Sequence, residues 1–260
     1  MMVRQSVSVG AACLLLILAC TPVDPAPAPD PAAAGIEQAA RLPVPPAGRI
    51  PVAVVISPGA TVIDFAGPWE VFQDVMLHDR DMSQAHPFHL YTVGPGREPV
   101  RVSGGLQIVP DYTFADAPDP KVIVVPAQQG APGLHEWLRA ASARADLTMS
   151  VCTGAFTLAD AGLLDGRAAT THHDFLDEFE RSYPRIKVRR GVRYVEGPRI
   201  ATAGGLTSGI DLALRVVARY FGQEVAQRTA SYMEHTSTGW HQDAGVWDAP
   251  GPGTPEPARW

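Results

Sequence analysis

One thiol carries the chemical potential of this chain. Of its three cysteines, Cys13 and Cys20 lie in an apolar N-terminal stretch, and only Cys152 stands in sequence of globular type. Cys152 falls in Ser150-Val-Cys-Thr-Gly-Ala-Phe156, where an apolar run, Leu147 to Val151, meets a helix-like run, Thr153 to Leu164. A strand that turns straight into a helix presents its junction residue and aims the helix's free N–H groups and positive dipole end at it. A thiol at that junction is expected to have a lowered pKa and to act as a nucleophile near neutral pH. The residue alone fits an inert thiol packed like a small hydrophobe equally well. No second cysteine in the body is available for an internal disulfide, which is compatible with an oxidising compartment.

The elements that must position Cys152 alternate between strand and helix. Pro51 to Ile56 and Val122 to Val125 are continuous β-rich runs, the kind expected of strands covered on both faces. Phe88 to Val93, Leu106 to Val109, Leu147 to Val151 and Ala168 to Thr171 read as further strands. Tyr194-Val195 and Arg199 to Thr202 read as a hairpin around Gly197-Pro198. Helical runs cover Pro68 to Leu77, Pro132 to Arg144, Phe175 to Ser182, Ile210 to Tyr220 and Gln223 to His235. Pro68 suits the first turn of its helix, and Trp69, Phe72 and Trp137 are read as core. Repeated βα units predict an α/β three-layer sandwich with a mainly parallel sheet, and ligands of such folds bind at the carboxyl ends of the strands. Cys152 lies at one such end.

Composition narrows the class. Hydrophobic residues make up 46% and charged residues 18%, which suits a globular body of one domain over roughly residues 49–235. The formal net charge of −6 argues against nucleic acid as the main partner. Residues 1–20 combine Arg4 with an apolar stretch from Val9 to Ala19 that is too short to span a bilayer. The ending Leu18-Ala19-Cys20 resembles a bacterial lipoprotein signal, which implies cleavage before Cys20, lipidation of that thiol and a membrane anchor. Thr21 after it does not favour inner-membrane retention, so the expected place is the periplasmic side of the cell envelope, at the outer membrane. Residues 21–48, rich in Pro and Ala, are expected to form an extended tether. The Gly-, Pro- and Trp-rich residues 236–260 are read as a surface strap or a partly disordered tail.

Three ordered motifs then carry a resemblance. Ile56-Ser-Pro-Gly-Ala-Thr-Val-Ile-Asp-Phe-Ala-Gly-Pro-Trp-Glu-Val-Phe72, the Cys152 segment with Ala161 to His172, and Ala203-Gly-Gly-Leu-Thr-Ser-Gly-Ile-Asp211 resemble the ThiJ/PfpI superfamily. Its flavodoxin-like fold is similar to that of class I glutamine amidotransferases. The resemblance is strongest to isocyanide hydratases and to the sensor domains of AraC-type regulators, and it covers roughly residues 50–235. It implies Cys152 as nucleophile and Asp64 as the acid that hydrogen-bonds it. It also implies an oxyanion hole from the N–H groups of Thr153 and Gln128. Ala127 and Gln128 stand where the family often has Gly, so this wall is expected to be shaped differently. Asp64 also fits a plain helix cap. Thr153 replaces the His that follows the nucleophile in protease-like members and matches the hydratase-like branch. His172 matches a His near the pocket in several branches, and Gly205 and Leu206 belong to a turn expected to line it. His172-His173 lacks a convincing third donor, so neither metal nor cofactor is expected. Members are usually homodimers, and a homodimer is expected here. Residues 236–260 are too few for the regulators' helix-turn-helix domain.

The reading is therefore a cysteine-dependent hydratase or hydrolase acting on a small molecule, with isocyanide hydration as its concrete form. The alternative is a non-enzymatic envelope protein that binds a small molecule or senses redox stress through Cys152.

Overall fold

Continuous apolar runs become the middle of a sheet. The computed structural model describes residues 40–75, 77, 86–241 and 245–247. Strands β1 (Ile50–Val55), β2 (Phe88–Gly94), β5 (Tyr112–Thr113), β6 (Val122–Val125), β7 (Leu147–Val151), β10 (Tyr194–Glu196), β11 (Ile200–Ala203) and β12 (Val246–Trp247) form an eight-stranded sheet. Their order is β12-β10-β11-β7-β6-β1-β2-β5, and every neighbouring pair is parallel except β10 with β11. This is the expected single-domain α/β fold with a mainly parallel, flavodoxin-like sheet.

Both faces of the sheet are covered, and its central strands β6 and β7 are buried at every position, including the polar Thr148 and Ser150 of β7. On one face Val52, Val54, Val122, Val124, Leu147, Met149 and Val151 pack on α1 (Val62–Gln73), α5 (Ser208–Phe221) and α6 (Gln223–Tyr232). On the other, Val55, Ile123 and Val125 pack on α2 (Leu134–Arg144), α3 (Gly154–Asp160) and α4 (Leu176–Ser182). The two-residue period of a strand divides the side chains between these faces. Each fully buried Val or Leu contributes roughly 1.5–3 kcal/mol relative to exposure. Phe72 is fully buried, and Trp69 and Trp137 pack partly buried against the clusters.

Several expectations need correction. The first helix begins at Val62, so Pro68 stands inside it rather than in its first turn. Leu106–Val109 contributes only β4 (Gln107–Ile108), which pairs with β3 (Val100–Arg101) away from the main sheet. Ala168–Thr171 contributes only β8 (Ala168–Ala169), which pairs with β9 (Lys187–Val188). The helix after Cys152 stops at Asp160, and Gly162 with φ +75° turns the chain away. The body also exceeds residues 49–235. Leu42 N–H donates to the Arg219 carbonyl at 3.0 Å, and the Arg219 guanidinium holds the Ala40 carbonyl at 2.5 Å. At the other end Trp240 is 1% exposed, with its carbonyl and that of His241 accepting from the Tyr194 hydroxyl. The start of the supposed tail is thus core, placed there by a large apolar side chain. The signal segment, Cys20 and residues 21–39 lie outside the described residues.

Candidate active site

Four adjacent strands, β11, β7, β6 and β1, deliver their carboxyl ends to one place, and each is followed by a candidate residue. Cys152 directly follows β7 and has φ +58°, a left-handed backbone that side chains with a Cβ rarely adopt. Two bonds hold it there. Its N–H donates to the Gly204 carbonyl at 2.9 Å, and its carbonyl accepts from the Thr171 hydroxyl at 2.9 Å. Strain of this kind persists only where the surroundings over-determine it, as at reactive sites. Gly154 makes the turn possible, since a Cβ there would stand 2.2 Å from the Val125 carbonyl oxygen. Thr171 was not singled out from sequence, although its place next to His172 was a signal.

Asp64 is fully buried in the first turn of α1. It does not cap the helix. Thr61 occupies the cap position, and the Asp64 Oδ2 instead accepts the Ala127 N–H at 3.2 Å, across to the loop after β6. The Leu206 N–H also faces this carboxyl and favours its charged form, and the Cys152 thiol lies within its reach. Oδ1 makes no hydrogen bond of ordinary geometry among the described residues. Burial pushes the Asp64 pKa up to about 6, against the pull of the Ala127 and Leu206 N–H groups.

The thiol reverses its expected shift. Burial pushes Cys152 up to about 11, and the Asp64 carboxylate raises it further, while the Thr153 N–H and hydroxyl pull the other way. Cys152 is only 8% exposed, and the seven-residue α3 behind it is too short to outweigh that desolvation. Together the two groups hold one proton between about pH 6 and pH 11. That proton rests on sulfur with a carboxylate beside it, or on the carboxyl with a thiolate beside it.

The remaining candidates surround this pair. The Thr153 N–H and hydroxyl face the sulfur. The Ala127 N–H is committed to Asp64, which removes it as a free ligand donor. The Gln128 backbone N–H makes no hydrogen bond among the described residues. The Gln128 side chain, unremarked in the sequence, accepts the Ser57 N–H at 2.8 Å and leaves a buried amide NH₂ with no partner among the described residues. His172 lies against Gly205, where a Cβ would meet its Cδ2 at 2.2 Å. The His172 Nδ1 accepts the Asp174 N–H at 3.2 Å, so in the neutral ring the proton sits on Nε2. Leu206, with φ +52° and 44% exposure, forms the lip of the same turn. The third donor that His172-His173 lacked in sequence is Asp174, with ligand atoms of the three residues within 4.8 Å of one another. His173 and Asp174 side chains are 79% and 68% exposed, and the His172 Nδ1 is already engaged. The trio is a surface cluster.

Comparison with known proteins gives the family and the fold. Residues 51–219 match the model of the DJ-1/PfpI family. The chain belongs to the DJ-1/PfpI family. Within it, the isonitrile hydratase of Pseudomonas putida is 33% identical over 196 residues, covering 71% of this chain and 78% of that protein. The HTH-type transcriptional regulator CdhR of Pseudomonas aeruginosa is 31% identical over 177 residues, covering 66% of this chain, which spans only about half (51%) of the regulator's length. Among solved structures, a THiJ/PfpI family protein from Pseudomonas syringae superposes with a TM-score of 0.64 at 29% identity, covering 75% of this chain and 78% of that one. The family thus includes an enzyme and regulators among this chain's relatives.

Proposed function

We propose that this DJ-1/PfpI member is a cysteine-dependent hydratase of a small neutral electrophile, with an isocyanide as the concrete substrate. The observation that carries the reading is the buried Cys152–Asp64 pair, which shares one proton across the neutral range. In the tautomer with the proton on Asp64, the sulfur attacks the terminal isocyanide carbon. Asp64 delivers its proton to that carbon and leaves a thioimidate, R–N=CH–S–Cys. The Asp64 carboxylate then takes a proton from water as the water oxygen adds to the same carbon, and passes that proton to nitrogen. The tetrahedral carbon expels sulfur, and its hydroxyl proton returns to the pair. The sum is R–NC plus water giving R–NH–CHO. The Gln128 N–H and the His172 Nε2–H are the donors assigned to charge developing on nitrogen and oxygen.

Formamide production from an alkyl or aryl isocyanide tests this. Turnover is expected for the natural chain and none for Cys152→Ala. A folded protein that makes no formamide would remove the hydratase reading.

The second reading, a ligand-binding or redox-sensing protein, is favoured by the relatedness to CdhR. It calls for ligand binding or reversible oxidation at Cys152 without turnover. We further propose that Cys20 is lipidated and holds the protein on the periplasmic side of the envelope, read from the resemblance of residues 1–20 to a lipoprotein signal. Cys20→Ser is expected to release the protein from the membrane fraction. A homodimer is likewise proposed from the family, and a monomeric mass in solution would exclude it.

A further inference from the structure

The turn between β11 and α5, residues 204–208, touches three members of the site at once. The Gly204 carbonyl holds the Cys152 N–H, the Leu206 N–H faces the Asp64 carboxyl, and Gly205 makes room for the His172 ring. The turn contains Leu206 in a left-handed conformation, so something must hold it. A network outside the reacting pair does so. The Arg193 carbonyl accepts the Gly204 N–H at 3.0 Å. The Arg193 Nε donates to the Asp211 Oδ2 at 2.7 Å, Nη2 pairs with the same oxygen, and Nη2 reaches the Thr207 hydroxyl at 3.5 Å. Arg193 thus grips the turn at both ends, with its carbonyl at Gly204 and its guanidinium at Thr207 and Asp211.

Asp211 is fully buried in the first turn of α5, and its two oxygens face different elements. Oδ1 meets the His235 Nε2 at 2.9 Å, and Ser237 reaches Oδ2 at 3.5 Å, both from the segment after α6. That segment passes so close that a Cβ on Gly239 would stand 2.4 Å from Oδ2. An acid in a first helical turn usually serves the helix end from a solvated position. Here the carboxyl is spent on Arg193 and His235 instead, and Thr207 at the cap position makes no side-chain cap bond. A buried ion pair adds little net stability, but moving one partner away strands an uncompensated buried charge. The geometry therefore suits a device that holds one conformation of the turn.

We propose that Asp211, with Arg193 and His235, is a positioning residue of the Cys152–Asp64 pair, acting through the residue 204–208 turn. The proposal rests on reading that pair as the reacting groups.

The test is the rate of Cys152 alkylation by iodoacetamide as a function of pH, read on the Cys152 peptide by mass spectrometry in the full chain. The thiolate tautomer becomes available only once the pair has lost its first proton, so the profile has an acid limb near pH 6. In Asp211→Asn and Arg193→Gln the Leu206 N–H is misplaced, and the limb is expected to move up by about one pH unit, the worth of one hydrogen bond to a charged group. Arg193→Lys should restore part of the shift. Tyr220→Phe is the control. It breaks the Tyr220–Asp146 bond at the far end of α5, at 3.1 Å, and should lower the melting temperature without moving the limb. If Asp211→Asn fails to fold, Arg193→Gln decides, because its side chain is 38% exposed. Variants that melt earlier with an unmoved limb would make the network a plain brace and overturn the proposal, as would an equal shift in Tyr220→Phe. Absence of formamide in the natural chain would sink the hydratase reading, yet leave the alkylation profile as a valid measure of positioning.

Discussion

Asp64→Asn is expected to make Cys152 more reactive to alkylation while nearly abolishing the proposed turnover. The two effects separate because Asp64 does two jobs. As a buried carboxylate it raises the thiol pKa, second only to burial itself. Removing that charge lowers the pKa from about 11, and each unit is tenfold in thiolate, so alkylation at pH 8 is expected to rise roughly three- to tenfold. As the proton carrier of the proposed reaction it is worth about 100-fold or more in rate, so formamide production falls by that factor. Stability moves as well. The folded-state pKa of Asp64 is raised from 3.8 to about 6, so its contribution to stability is fully present below the unfolded value and is lost as pH rises through about 6. The asparagine variant should therefore melt above the natural protein at pH 8, and the advantage should vanish toward pH 4. Slower alkylation in Asp64→Asn would show instead that the carboxyl donates to a resident thiolate, and a carboxylate that raises the thiol pKa would be ruled out.

How much of this was legible in the residues depended on range. The elbow at Cys152 was legible because a strand, a turn and a helix are contiguous, and Gly154 two residues on is where the helix must crowd the Val125 carbonyl. The alternation of strands and helices was legible from continuous apolar runs, which also dictate a covered parallel sheet. Burial of single polar groups was not. Nothing local says that Asp64 is fully buried, because the N–H groups that make burial tolerable come from Ala127 and Leu206, far along the chain. The sign of the Cys152 shift failed for that reason. A helix end is visible in sequence, whereas desolvation and a carboxylate brought from the distant helix α1 are not. Likewise Trp240 and Ala40 read as outliers of a tail and a tether until Tyr194 and Arg219 are seen to hold them. The family motifs pointed to Gly205 and His172 separately, and only the fold shows that one is small because the other's ring lies on it.

Gly154→Ala is expected to disable the protein through its backbone. The added methyl would stand 2.2 Å from the Val125 carbonyl oxygen and 2.8 Å from that of Pro126. Neither contact can be relieved by rotating a side chain, because both partners are main chain at the end of a central strand. Relief requires α3 to move off β6, and α3 begins two residues after Cys152. Overpacking of this kind costs about 1–3 kcal/mol and occasionally more, and backbone partners place this site at or beyond the upper end. The displacement also carries Thr153, whose N–H and hydroxyl face the sulfur, so alkylation and turnover should fall together beyond what the lost stability explains. Gly130→Ala is the matched control. It lies in the loop after the same strand, with no atom within 4 Å of an added Cβ and no left-handed φ, and a surface change of that type stays within about 0.5 kcal/mol. Thermal melts of the two variants side by side, with Cys152 alkylation at one pH, measure the difference. A Gly154→Ala protein that melted with Gly130→Ala and kept its thiol reactivity would mean that the approach of α3 to β6 does not hold the elbow in place.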